Sequence, residues 1–260
     1  MNFKDYFSKQ APAYTRYRPH YPAQLFEYLA TLTVDHHLAW DCATGSGQAA
    51  LGLVNYFERI LATDASDKQI ANAAEHDRIT YMVAPAEKTK IATGSVDLIV
   101  VAQALHWFDL DEFYAEVRRV SKPGGVLAAW SYSLLRINPA IDKLVDKFHT
   151  DVVGPFWPVE RKFVDDRYQS ISFPFQQCTS PAFNMEANWS FEHLLGYIGT
   201  WSSVQKFREQ NRADPLEGFA RALKQEWGQL EEEKRIRWPI NMRVGRVHQA
   251  LGTRHKNTTR

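Results

Sequence analysis

Between Leu38 and Ala50 the chain reads L-A-W-D-C-A-T-G-S-G-Q-A-A, a short apolar run, an aspartate, a turn bearing two glycines and the start of a helix. Residue types in that order suit a nucleotide-like ligand. Gly45 and Gly47 can take backbone angles closed to other residues and let a ligand approach the main chain, while the helix that follows presents the positive end of its dipole. Taken alone, Gly45 to Ala50 satisfies G-x-G-x-x-A, the fingerprint of NAD-type sites, and Asp64 lies at a suitable separation to bond a ribose.

Asp41 discriminates between ligands. At the strand end immediately before the glycine turn, its carboxylate would face a pyrophosphate, and two anions opposed in a semi-buried turn repel. The same carboxylate attracts S-adenosylmethionine, which carries a sulfonium and an ammonium in place of phosphates. Asp64 serves either ligand, because both contain adenosine.

These residues resemble the class I S-adenosylmethionine-dependent methyltransferases, and within them the small-molecule group similar to trans-aconitate methyltransferases. D-C-A-T-G-S-G (Asp41 to Gly47) matches the family's D-x-G-x-G-x-G, with Ala43 in place of the first glycine; a methyl group is tolerated there if the backbone angles are ordinary. In L-A-T-D-A-S, Asp64 and the adjacent Ala65 correspond to the ribose-binding turn. A-P-A-E places Ala86 and Glu87 at the adenine end, with Pro85 where the family usually has an aspartate, so adenine recognition falls to the Ala86 backbone, apolar packing or another side chain. S-V-D-L-I-V, Q-A-L-H-W-F with Gln103, and K-P-G-G-V-L complete the cofactor half. Y-T-R-Y-R-P-H-Y-P (Tyr14 to Pro22) is similar to an arm that closes over the cofactor, and Y-I-G-T-W-S and W-P-I-N-M-R-V-G-R resemble the family's carboxyl-terminal part.

The resemblance implies methyl transfer to a small molecule, with O-methylation of a carboxylic acid as the expected reaction. Displacement at the methyl carbon releases a neutral thioether, so alignment in a water-poor pocket can supply much of the catalysis. A carboxylate needs positioning only; a hydroxyl or amine also needs a base. His106, just after the fourth strand, is the candidate catalytic base, although a packing or hydrogen-bonding histidine beside Trp107 is the simpler account of it. Arg18, His20, Trp107, Tyr197 and Trp201 are the candidate substrate contacts, with Arg136 and Arg161 as further cations, since arginine's fork suits a carboxylate and aromatic rings shape an apolar slot.

The elements that must position these residues follow from periodicity. Pro22 to Leu32 reads as a helix with Leu25, Leu29 and Leu32 on one face. Strands are expected at Leu38 onward, Arg59–Thr63, Ile79–Val83, Val96–Val101 and Val126–Trp130, separated by helices at Asp67–His76 and Leu110–Val120. Such alternation predicts an α/β fold, a Rossmann-like doubly wound sheet with the ligand at the carboxyl ends of its strands. The resemblance implies seven strands, mostly parallel, with an antiparallel last strand.

Beyond Trp130 the pattern changes. Asn138–Val153 reads as one helix and Pro155–Phe175 as part of an inserted cap; Ser180–Ser190 is a strand, Phe191–Phe207 and Leu216–Leu230 are helices, and Arg235–Val247 is a late strand with Pro239 at a bulge or edge. A single domain is expected: an arm over the site (1–21), a cofactor half (38–130), a cap (131–180), a completing part (181–250) and a tail (251–260).

Composition is that of an ordinary globular chain, with 45% hydrophobic and 23% charged residues, but aromatics reach 13%, including eight tryptophans, which suits a lined pocket. A net charge of +1 provides no field for a long polyanion, and no N-P-P-[FY] motif follows the fourth strand, so nucleic acid is excluded as the expected partner. Cys42 and Cys178 offer neither metal-ligand spacing nor a disulfide framework and fit a reducing, cytoplasmic setting; no metal is expected. No run of eighteen apolar residues suggests a membrane span. The rivals are an NAD-type oxidoreductase and a non-catalytic S-adenosylmethionine-binding module. No pattern specifies an oligomeric state.

Overall fold

The computed structural model describes residues 17–248. The arm residues Tyr6, Phe7, Tyr14 and Arg16 and the tail 251–260 lie outside the described residues. Helix α1 (Ala23–Thr31) begins just after Pro22 and buries Leu25, Phe26 and Leu29. Strand β1 (Leu38–Cys42) is buried at every position, as a central parallel strand covered on both faces must be. Then come α2 (Gln48–Leu53), β2 (Arg59–Asp64), α3 (Asp67–Ala71), β3 (Ile79–Val83), β4 (Val96–Ala102), α4 (Leu110–Val120) and β5 (Ser121–Tyr132).

The second half comprises α5 (Pro139–Lys147), α6 (Arg161–Asp165), β6 (Gln176–Cys178), β7 (Phe183–Trp189), α7 (Phe191–Gly199), α8 (Ser202–Asn211), α9 (Leu216–Trp227) and β8 (Lys234–Arg246). The sheet order is β3-β2-β1-β4-β5-β8-β6, with β7 pairing β8 off that path. β1 to β5 run parallel, and β8 enters antiparallel to β5. Strand order reverses between β1 and β4, which opens the ligand crevice at their carboxyl ends. The expected doubly wound sheet is present.

The eighth strand, β6, is three residues long, too short for a period-two signal, and lies in the stretch read as cap. β8 serves three neighbours, pairing β7 through its first half and β5 and β6 through its second. Pro239 sits within the β7 pairing, and its carbonyl accepts the Ser133 amide on the opposite side, so β7 needs no donor from it.

Three helices break sooner than their apolar spacing predicts. α3 stops at Ala71 because the Asn72 side chain takes the Lys68 carbonyl and the Ala74 amide is drawn to Ser46. The helix expected over Asn138–Val153 widens after Lys147 into a π-type turn closed by Val153 N–H to Phe148 C=O, ahead of Pro155, which has no donor to continue it. Phe191–Phe207 is two helices. Thr200 turns its hydroxyl back onto the Tyr197 carbonyl and Trp201 adopts an extended backbone.

Two apolar cores flank the sheet. One joins α1 and α2 to α5, α7 and α9 through Trp130, Trp238 and Trp227; the other packs α4 and the segment 164–175 against Trp40, Val101 and Ala129. Asp97, on β4, anchors the amino-terminal end of the sheet by accepting the amides of His37 and Leu38 and pairing with Lys122 at 2.6 Å. Among the described residues no helix is long and apolar enough to cross a membrane.

Candidate active site

The turn after β1 is built around two carboxylates. Asp41 is fully buried; its Oδ2 accepts the Thr44 hydroxyl at 2.5 Å and the Ala50 amide at 2.9 Å, while Oδ1 has no partner among the described residues. Burial pushes its carboxyl up to about 7, against the opposing pull of those two donors. Asp64, at the end of β2, accepts the Gly45 amide through Oδ2 and the Ser66 amide through Oδ1, both at 2.9 Å. It thereby spans the glycine turn and the start of α3, leaving Ala65 exposed between them.

Gly45 and Gly47 both have positive φ, 55° and 85°. A Cβ at Gly45 would meet only Gln69 Oε1 at 4.0 Å, so the turn opens as a cradle there, whereas one at Gly47 would strike the Tyr81 hydroxyl at 2.3 Å. Ala43 has φ 57°, so its angles are not ordinary: the turn keeps the left-handed backbone of a glycine under a methyl side chain. An open cradle, an acidic pair and an orphaned buried carboxylate oxygen fit a ligand that brings positive charge and hydroxyl donors. They fit S-adenosylmethionine.

In the loop after β3, Ala86 is buried in the second core. Glu87 accepts the Asp109 amide at 3.0 Å just ahead of α4, a contact that fixes the loop after β3 to the loop after β4. Gln103, the first residue past β4, has φ 58° and a buried Oε1 with no partner among the described residues. Strained backbone at a ligand crevice is where such conformations concentrate.

Gln103 leads into a cavity open at its mouth. Arg18, His106, Trp107, Tyr197 and Trp201 line it together, as does Arg161. Arg18 donates to the Tyr132 hydroxyl and lies 5.3 Å over the Tyr197 ring. Arg161 lies 4.5 Å over Trp157 and pairs with Asp165 at 2.9 Å. His106 Nδ1 is 2.8 Å from the Tyr168 hydroxyl, and burial, reinforced by Arg161, lowers its pKa to about 3. Burial raises Tyr197 well above the ordinary phenol value. The bend at Thr200 and Trp201 delivers Trp201 to this wall.

His20 is not in the cavity; it is exposed, with Nδ1 3.4 Å from the Gln48 amide nitrogen, which also donates to the Pro19 carbonyl. Arg136 is also elsewhere, paired with Asp146 at 2.8 Å. Three residues beyond the sequence-based candidates matter to the site: Tyr132 at the end of β5, and Trp157 and Tyr168 from the segment between β5 and β6. Their aromatic character was legible, but nothing in the local pattern says which ring turns inward.

An α/β sheet with an acidic glycine turn after its first strand, and an open-mouthed cavity beside it, suits a protein that brings an adenosine-type cofactor to a second molecule. Residues 40–129 match the methyltransferase domain family. Over 218 residues the chain is 35% identical to a protein named as a methyltransferase in Dictyostelium discoideum, covering 82% of this chain and 83% of that one. A solved structure described as a type II methyltransferase from Anaeromyxobacter dehalogenans is 45% identical and superimposes with a TM-score of 0.85 over 90% of this chain and 99% of that chain. A probable S-adenosylmethionine-dependent methyltransferase of Saccharomyces cerevisiae is 26% identical over 46% of this chain and 44% of its own length. The chain belongs to the class I S-adenosylmethionine-dependent methyltransferases, and its cofactor is S-adenosylmethionine rather than NAD.

Proposed function

We propose that this methyltransferase transfers its methyl group to a carboxylate oxygen of a small organic acid. The observation that carries this reading is the presence of two arginines, Arg18 and Arg161, among the tryptophans and tyrosines that line the cavity beside Gln103. Guanidinium groups over aromatic faces favour an anion of modest size with apolar surface. The resemblance to trans-aconitate methyltransferases points to the same acceptor class.

When bound, S-adenosylmethionine supplies an electrophilic methyl carbon on a sulfonium. The residues of this chain then hold and align. Asp41 and Asp64 hold the cofactor, and Arg18 and Arg161 hold the acid. Trp107, Tyr197 and Trp201 exclude water, which strengthens the remaining charge interactions. In the balance of the reaction a C–O bond forms, a C–S bond breaks, the electron pair leaves with sulfur, and no proton is transferred. That last point agrees with the cavity's chemistry, since His106 has too little basicity to take a proton near neutral pH.

The test is incubation of the purified protein with methyl-labelled S-adenosylmethionine and a panel of small carboxylic acids. A methyl ester releases labelled methanol on mild alkaline hydrolysis. With the best acid, Arg161→Gln should raise KM at least tenfold with little change in kcat, because a charge-assisted bond made equally in ground and transition states is lost. A labelled product that survives alkali would exclude ester formation.

A further inference from the structure

Tyr168 lies outside every sequence motif, yet the chain adopts unusual backbone to place it. Arg167 and Tyr168 have φ 62° and 61°, two successive non-glycine residues in the left-handed region. Such strain persists where surrounding contacts over-determine it. Here the Tyr168 amide donates to the Phe163 carbonyl at 2.7 Å, and Arg243 donates to the carbonyls of Tyr168 and Ile171. The Tyr168 side chain is completely buried in the core beneath α4. What the strained turn secures is a phenol hydroxyl 2.8 Å from His106 Nδ1.

The direction of that bond follows from the absence of any other acceptor at the hydroxyl. Among the described residues its hydrogen-bond partner is His106 Nδ1 alone. A phenol has one proton, and with the side chain completely buried that proton goes to the one acceptor within reach, Nδ1. Nδ1 is then the acceptor, and the ring proton resides on Nε2. Arg161, the charged neighbour of the imidazole, disfavours a second proton, as does burial.

We propose that Tyr168 is a positioning residue that locks His106 in the neutral Nε2–H tautomer, so that His106 offers the acceptor molecule a hydrogen-bond donor instead of a base. Resting on the carboxylate reading above, the donor serves the carboxylate oxygen that does not attack, orienting the other toward the methyl carbon. The tautomer itself does not depend on that reading.

The test is a long-range nitrogen-15 correlation spectrum of the histidine side chains, with His106 assigned by its loss in His106→Gln. Wild-type His106 should show a proton on Nε2, none on Nδ1, and no titration between pH 8 and pH 6. Tyr168→Phe should release the lock and populate the Nδ1–H form. A wild-type Nδ1–H tautomer, a titration in that range, or an unchanged tautomer in Tyr168→Phe would overturn the proposal; the wild-type spectrum decides even if that variant fails to fold. In turnover with the acid found by the methyl-label screen, His106→Gln keeps a donor and should stay within about threefold of wild type while His106→Ala falls about tenfold. Equal losses in the two variants would overturn the donor role. The spectrum needs no acceptor, so its result stands apart from the identity of the acid.

Discussion

At the scale of single residues, the site pairs like-charged groups that serve different purposes. Asp64 accepts the amides of Gly45 and Ser66, one on each oxygen, which fixes the turn's shape, whereas Asp41 keeps one buried oxygen without a partner among the described residues. Burial raises the Asp41 carboxyl to about 7. A raised folded value means that the proton is held more tightly in the folded, ligand-free protein than in the unfolded chain. The corresponding stabilisation is present below the unfolded value near 4 and is lost as pH rises toward about 7. A cationic cofactor reverses that preference, because it favours the ionised form. S-adenosylmethionine should therefore bind about tenfold more weakly at pH 6 than at pH 8, measured by calorimetry, with proton release at the lower pH. In Asp41→Asn affinity should be low and flat over that range. A steep pH dependence retained in that variant would place the titrating group elsewhere.

At the scale of elements, the site depends on a strap and a helix meeting closely. The Tyr17 ring lies against α7 where Gly196 has no side chain; a Cβ there would sit 2.6 Å from a Tyr17 ring atom. Tyr17 also meets His193 edge-on at 5.0 Å. The next residue, Arg18, lines the cavity beside Gln103, and Pro19 is held by Gln48 at the start of α2. The strap thus runs from that cavity to the glycine turn. Gly196→Ala should favour α7 by propensity, about 0.5–1 kcal/mol, and push Tyr17 away. The expected outcome is an unchanged or slightly higher Tm together with a several-fold rise in acceptor KM through Arg18. A fall in Tm with unchanged KM would show that the notch serves packing alone.

At the scale of the molecule, β8 binds the two halves by pairing β5, β6 and β7 at once, while the cofactor turn hangs on β1, β2 and α2. Ligand at the turn and integrity of the sheet are therefore linked by mass action. S-adenosylmethionine at a hundred times its Kd should add about 2.7 kcal/mol of stability, read as a rise in Tm, and NAD at the same concentration should add none. Equal protection by both would mean that Asp41 does not select charge.

What was legible in the sequence was what local physics dictates. Leu38–Cys42 followed by Gly45 and Gly47 must be a strand and a turn, because few other structures use an apolar run, a terminal aspartate and two glycines in that order. Leu110–Val120 carries its own apolar stripe and its own stop. The helices that ended early were illegible, because the Asn72 side chain, the Thr200 hydroxyl and the bend at Trp201 compete with helical hydrogen bonds in ways that apolar spacing does not record. The left-handed backbone at Ala43 was hidden too, since residue type favours glycine there and only the turn's closure forces the angle. The sequence by itself thus determined the cofactor class, through the charge of Asp41 at a strand end. Tertiary structure alone decided which cations and rings line the cavity, bringing in Arg161 and Trp157, setting Tyr168 behind His106 and leaving His20 and Arg136 outside, because that choice depends on where distant segments cross and not on their local pattern.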